Sequence, residues 1–244
     1  MNFLTTLLAA GLVCIHLFAS QLRFLNTVPR SRWLSIAGGV SVAYVFIHIL
    51  PELSEGQEEF KQIGETGIIR YLEHHVYLLA LAGLAIFYGL ERMAKLSRER
   101  NLKAGRGDST SAGVFWLHIA SFAVYNALIG YLLLHREEQT VQSLLFFFFA
   151  IGLHLVVNDN GLREHHKRDY DRLGRWILSA AVFVGFLIGL VTEIQALALA
   201  ALFAFLAGGI ILNVLKEELP EERESRFWAF ALGAAAYAAL LVAA

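Results

Sequence analysis

The chain has 244 residues, 57% of them hydrophobic and only 17% charged, with a mean hydropathy of +0.56 and a formal net charge of −1. That balance is too apolar for an ordinary soluble domain of this length, and no nucleic-acid partner is expected. What remains is an integral membrane protein in contact with the lipid bilayer.

Eight apolar runs, at about 3–20, 33–50, 71–90, 113–134, 141–158, 176–192, 196–215 and 227–243, divide the chain. Each approaches the ~20 residues a helix needs to cross the hydrocarbon layer. The runs are continuous rather than alternating, which predicts helices and not strands. The expected fold class is therefore all-α, with residues 1–244 forming a single transmembrane domain of eight spanning helices.

The first run, "MNFLTTLLAAGLVC", lacks the basic start of a signal peptide, and its first basic residue, Arg23, follows the apolar stretch. It is read as a retained helix. Cys14 is the only cysteine, so no internal disulfide or cysteine zinc cage is available. In the second run Tyr44, His48 and Glu52 fall at i, i+4 and i+8, on one helical face. An acidic segment, 52–70, with Glu55, Glu58, Glu59 and Glu65, then leads to Glu73, His74 and His75. His48, Glu52, His74 and His75 together read as a cation-concentrating entrance. A basic segment, 91–112, with the tip "AGRGDSTSAG", precedes the fourth run, which carries His118, Tyr125 and Asn126.

The fifth run holds "LLFFFFAIGL" and then "HLVVNDNG". Ionisable groups at membrane depth are costly and mark functional sites by default. His154 and Asn158, one turn apart with Asp159 beside them, supply stacked donor groups of the kind a divalent transition metal takes from one helix. A hydrogen bond to a neighbouring helix is the competing reading for each histidine. The following "REHHKRDYDR" is rich in Arg and Lys and points to topology and lipid phosphate. The seventh run echoes the second: "AGGIILNVLKEELPE" and "AGGVSVAYVFIHILPE" share AGG and a closing LPE. With the two helices running in opposite senses, helices 1–3 and 6–8 are expected to form an inverted repeat around helices 4 and 5. Small-residue stretches such as "AALFAFLAGG" and "ALGAAAYAALLVAA" permit close helix packing, within one subunit or in a homodimer.

Of the 20 Lys and Arg residues, 17 fall in the alternate connections 21–32, 91–112, 159–175 and 216–226, leaving Lys61, Arg70 and Arg136 on the other side. By the positive-inside rule the basic connections are cytoplasmic and both termini extracytoplasmic, in a cell (plasma or inner) membrane.

On these residues the chain resembles the ZIP (Zrt/Irt-like) family of divalent-metal transporters. "GGVSVAYVFIHILPEL" is similar to the family's second helix, "FLAGGIILNVLKEELPE" to its seventh and "LSAAVFVGFLIGL" to its sixth. The resemblance implies a 3+2+3 arrangement and transport or binding of a divalent cation, zinc or a similar ion. It implies a site near His154, Asn158, Asn126 and Asp159. The chain departs from the family pattern at the site itself. "YNALIG" keeps Asn126 and Gly130 but has Tyr125 and Ile129 where the fourth-helix pattern H-N-x-x-D/E-G has its histidine and acid. "HLVVNDNG" keeps His154, Asp159 and Gly161 but has Leu155, Val157 and Asn158 at other positions of H-E-x-P-H-E-x-G. With so few carboxylates a divalent charge is poorly compensated, so a reduced, weak site is expected. The alternative is a ZIP-fold scaffold or sensor that moves no metal; an enzyme is not expected, because no nucleophile sits in a recognisable setting. No cofactor is expected.

Overall fold

The computed structural model describes residues 2–18, 21, 32–63, 75–136, 139–218 and 226–242. Among them no strand occurs. The helices are α1 (Asn2–Phe18), α2 (Arg32–Tyr44), α3 (Leu50–Ile63), α4 (His75–Lys103), α5 (Ala112–Leu132), α6 (Val141–His166), α7 (Arg175–Val191), α8 (Ala196–Glu218) and α9 (Phe227–Val242). A π-helical turn, Val45–Ile49, joins α2 to α3, and a second, Tyr170–Gly174, leads into α7. Six of the resulting rods are long and apolar enough to cross a membrane, and two shorter apolar helices, Phe3–Phe18 and Phe227–Val242, bring the count to eight. Polarity is arranged as lipid requires. Leu81, Ile86, Val124, Phe149 and Phe183 point outward, while His16, His118, Asn126, His154 and Asp159 are buried.

Three helix ends differ from the sequence expectation. The second span does not stop at Pro51 but runs on to Ile63. Proline lacks an N–H and its ring presses on the carbonyl four residues back. The π turn relieves this: the Leu50 N–H bonds Val45 O, five residues earlier, so the register widens just before the proline. Ile49, Leu53 and Gln57 then continue one buried face. Gln57 accepts a hydrogen bond from the Val76 backbone N–H at 3.2 Å, tying α3 to the start of α4. The third span runs past residue 90 to Lys103, because its apolar periodicity persists through Leu90 and Ala94 although the exposed face turns charged. The fifth span continues through Asn158 to His166.

Beyond α4 the loop is pinned rather than loose. Gly105 (φ 67°) and Gly107 (φ 106°) turn the chain in the left-handed region. Asp108 then receives hydrogen bonds from Arg98 at 2.5 and 2.9 Å, which hold its carboxyl below the usual carboxylate range. Asn101 Nδ2 donates to Ser109 O at 2.8 Å.

The strongest contacts are three helix pairs nested in sequence: α5 with α7, α2 with α9, and α4 with α8. Each pair touches through a glycine from each member. A Cβ on Gly185 would lie 1.8 Å from Ala127 O, and one on Gly130 2.1 Å from Val182 O. Gly39 and Gly233 serve α2/α9 in the same way, and Gly83 and Gly208 serve α4/α8. The backbones are in contact, an approach that any side chain at these positions forbids.

All four tryptophans stand at helix starts. Trp33, Trp176 and Trp228 are the second residues of α2, α7 and α9, Trp116 is the fifth of α5, and all four are exposed. Helices that alternate in direction put these starts at one end of the bundle. The Arg32 guanidinium lies 5.9 Å from the Trp228 ring and that of Arg175 5.4 Å from Trp176. An amphipathic ring beside a basic side chain is the chemistry of a membrane interface.

Candidate functional site

The four residues singled out in sequence are all buried, and α5 and α6 supply them, but they divide among three settings. Asn126 and Asp159 are brought together by a residue that sequence reasoning missed, His16 of α1. Its Nδ1 lies 2.9 Å from both Asp159 carboxylate oxygens, and its Nε2 lies 2.8 Å from Asn126 Oδ1. His16, Asn126 and Asp159 are respectively 0%, 0% and 1% exposed. Asn126 Nδ2 donates to Phe122 O at 2.8 Å, which fixes Oδ1 as the atom facing the imidazole. Oδ1 only accepts, so Nε2 must carry a proton. The gap between Nδ1 and the carboxylate then holds a second proton, on the ring or on the acid, and the pair is neutral as a unit. Three helices thus meet at one exchangeable proton.

His154 is turned elsewhere. Its Nε2 lies 2.7 Å from the Tyr125 hydroxyl, with both side chains buried. Tyr125 therefore occupies Nε2, one of the two ring nitrogens through which an imidazole can bind a metal. Phe87 covers the tyrosine ring, edge-on at 5.7 Å.

Asn158 faces a third setting, a cavity with room for about one water molecule, lined by Glu91, Asn158, Gly161, Leu162, Asn213 and Lys216. Asn158 Nδ2 and Asn213 Nδ2 are buried and have no hydrogen-bond partner among the described residues. Glu91 Oε1 accepts from His165 Nε2 at 2.5 Å and from Lys216 Nζ at 2.8 Å. His118 Nε2 stands 3.9 Å from Glu91 Oε2. On its other side His118 Nδ1 meets His166 Nε2 at 2.9 Å, and His166 Nδ1 meets Thr110 Oγ1 at 2.6 Å. Glu91 was assigned by sequence to a connection; α4 carries it instead into the bundle.

Of the expected entrance, His48 and Glu52 do lie together, with Nε2 and Oε2 3.6 Å apart, and the His48 ring stacks on Tyr44 at 4.9 Å. His74 and the His75 side chain lie outside the described residues. Among the described residues no group of three or more His, Cys, Asp or Glu side chains is arranged to hold a metal ion.

The signal for His16 was present: an ionisable side chain in the last turn of a 17-residue apolar helix. Its partners lie 143 and 110 residues away, which no local pattern discloses. No protein family, curated protein or solved structure matches the chain.

Proposed function

We propose that this integral membrane protein carries or binds divalent cations, zinc or a similar ion, and that the ion exchanges with a proton at the His16–Asp159 pair. The observation behind this reading is the double bond of His16, to Asn126 through Nε2 and to both oxygens of Asp159 through Nδ1. Removing the shared proton exposes an imidazole lone pair and a carboxylate to the same point, which is the donor set of a cation. Two such donors make a reduced site. Burying a divalent ion beside a single carboxylate leaves charge uncompensated, so binding is weak.

The helix pairing supports a ZIP-like 3+2+3 arrangement. Exchanging the first three spans with the last three, and α5 with α6, turns α2/α9 into α8/α4 and α5/α7 into α6/α1, all of which are contacts of the fold. His48 and Glu52 serve as the extracytoplasmic entrance, both termini lie on that side, and the protein resides in the plasma or inner membrane. Rocking of one helix group against the other would open the site alternately, with no chemistry on a substrate.

The second reading is a non-transporting scaffold or sensor, favoured by one observation: His154, the best ligand by sequence, is bonded to Tyr125. Calorimetry with zinc, in buffers of different ionisation enthalpy, separates the two. Carriage or binding at His16–Asp159 releases about one proton per ion, an amount set by the shared proton. Asp159→Asn abolishes both the binding and the release. Wild-type protein that binds no divalent ion, and moves none in liposomes, leaves the scaffold reading.

A further inference from the structure

The cavity beside Glu91 is a separate matter from the His16–Asp159 pair and shares no residue with it. Three helices contribute polar groups to it: the Glu91 carboxylate from α4, the Asn158 amide from α6, and the Asn213 amide and Lys216 ammonium from α8. Asn158 and Asn213 are 7% and 6% exposed, and each has an amide nitrogen without a partner among the described residues. Two unmet amide nitrogens on residues that line one cavity are costly unless something within reach answers them. An asparagine turned over about its last bond presents its oxygen in place of its nitrogen with almost no change of shape. The cavity can therefore offer two carbonyl oxygens and a carboxylate, an all-oxygen set suited to a hard cation.

Lys216 already places a cation there. Its Nζ lies 2.8 Å from Glu91 Oε1, in the position an inorganic ion would take against that carboxylate. We propose that Glu91, Asn158 and Asn213 form a site for one small monovalent cation, and that the Lys216 ammonium fills it as a tethered substitute. Charge selects the valence. The His165 and His118 Nε2 atoms also face Glu91, and among the described residues Lys216 is the only permanent cation on the carboxylate. Taking the ammonium away removes one positive charge from beside Glu91, which a monovalent ion restores and a divalent ion overshoots. The Lys216 side chain is 26% exposed, so its stem can carry the ammonium out to water while Glu91 stays in place. Beside the ammonium the cavity keeps room for about one water molecule, so an alkali ion in the ammonium's place can hold a water ligand as well.

The test is thermal unfolding of the purified full chain in sodium chloride and in choline chloride at equal ionic strength, for wild type, Lys216→Met and Lys216→Met/Glu91→Gln. Wild type should melt at the same temperature in both salts. Lys216→Met should gain a saturable rise of at least about 2 °C in sodium chloride over choline chloride that the added Glu91→Gln removes. A folded Lys216→Met protein with equal melting temperatures in both salts overturns the proposal. So does a wild-type response to sodium as large as the variant's, since the ammonium would then not be the occupant. Should Lys216→Met fail to fold in choline chloride, recovery of the folded protein in sodium chloride supports the site, and failure in both salts refutes it. Neither variant touches His16, Asn126 or Asp159, so loss of divalent-ion binding and loss of the sodium response are read separately.

Discussion

Replacing Gly185 by alanine tests the packing argument most directly. The new Cβ would stand 1.8 Å from Ala127 O, 2.6 Å from its carbonyl carbon and 2.7 Å from its Cα. A carbon–oxygen contact relaxes only beyond about 3.3 Å, so α7 must withdraw from α5 by about 1.5 Å. No side chain can give way, because all three obstructing atoms are backbone. A gap of that size forfeits half or more of the dispersion attraction along the crossing. The cost then reaches or exceeds the top of the ordinary overpacking range, about 3–5 kcal/mol, against which alanine's better helix propensity returns about 1. The net loss of about 2–4 kcal/mol corresponds to a melting temperature lowered by roughly 5–15 °C. Differential scanning of the protein in one detergent measures it, with Gly89→Ala as the control: a Cβ at Gly89 meets nothing within 4 Å, and that variant should be neutral or slightly more stable. Gly130→Ala presses the same crossing from the other side, so the double variant should lose much less than the sum of the singles, one separation serving both. Gly185→Ala melting with Gly89→Ala, or strict additivity with Gly130→Ala, would refute the contact.

Other perturbations probe other links. Asp159→Ala strips His16 of its carboxylate and should cost about 3–5 kcal/mol in chemical unfolding, whereas Asp159→Asn can donate its amide to a neutral Nδ1 and should cost about 1. Equal losses for the two would show that the shared proton is not what matters. The Asp108 carboxyl is held below its usual range first by its hydrogen bonds from Arg98, so its share of loop stability is present at neutral pH and fades only as pH falls through that lowered value. Amide protection factors over 104–111, taken against the intrinsic rate at each pH, should therefore be unchanged from pH 7 to 5 and fall at lower pH. Arg98→Ala should lower them at neutral pH, and a fall already complete at pH 5 would contradict the assignment. Lipids brominated near the head of the acyl chain should quench tryptophan fluorescence more than lipids brominated near its end, since all four rings share one interface. Strong quenching from the chain ends would displace that belt.

Much of the fold can be read without coordinates. Membrane crossing depends on the summed apolarity of about 20 consecutive residues, a local property, and the eight runs correspond to eight apolar helical rods. The ends were less legible. Pro51 looked like a stop because its effect on an α-helix is local, but the Val45–Ile49 turn that accommodates it is a choice the surrounding packing makes. The exposed charges of 91–103 resembled a loop because a helix that leaves the hydrocarbon needs only one apolar face.

At the candidate site the sequence marked the right helices and the wrong grouping. Burial of Asn126, His154, Asn158 and Asp159 follows from polar atoms inside apolar runs, since lipid offers them no partner. Their partners do not. Asn158 and Asp159 are neighbours in the chain, yet they face different helices, Asp159 towards α1 and Asn158 towards α4 and α8. Composition and periodicity thus fixed that the chain spans a membrane and hides its polar atoms, because hydration free energy is paid residue by residue. Only the packed bundle decided that His16 joins Asp159 and that Lys216 meets Glu91, because a hydrogen bond requires two atoms within about 3.2 Å and the partners sit on helices far apart in the chain, α1 with α6 and α4 with α8.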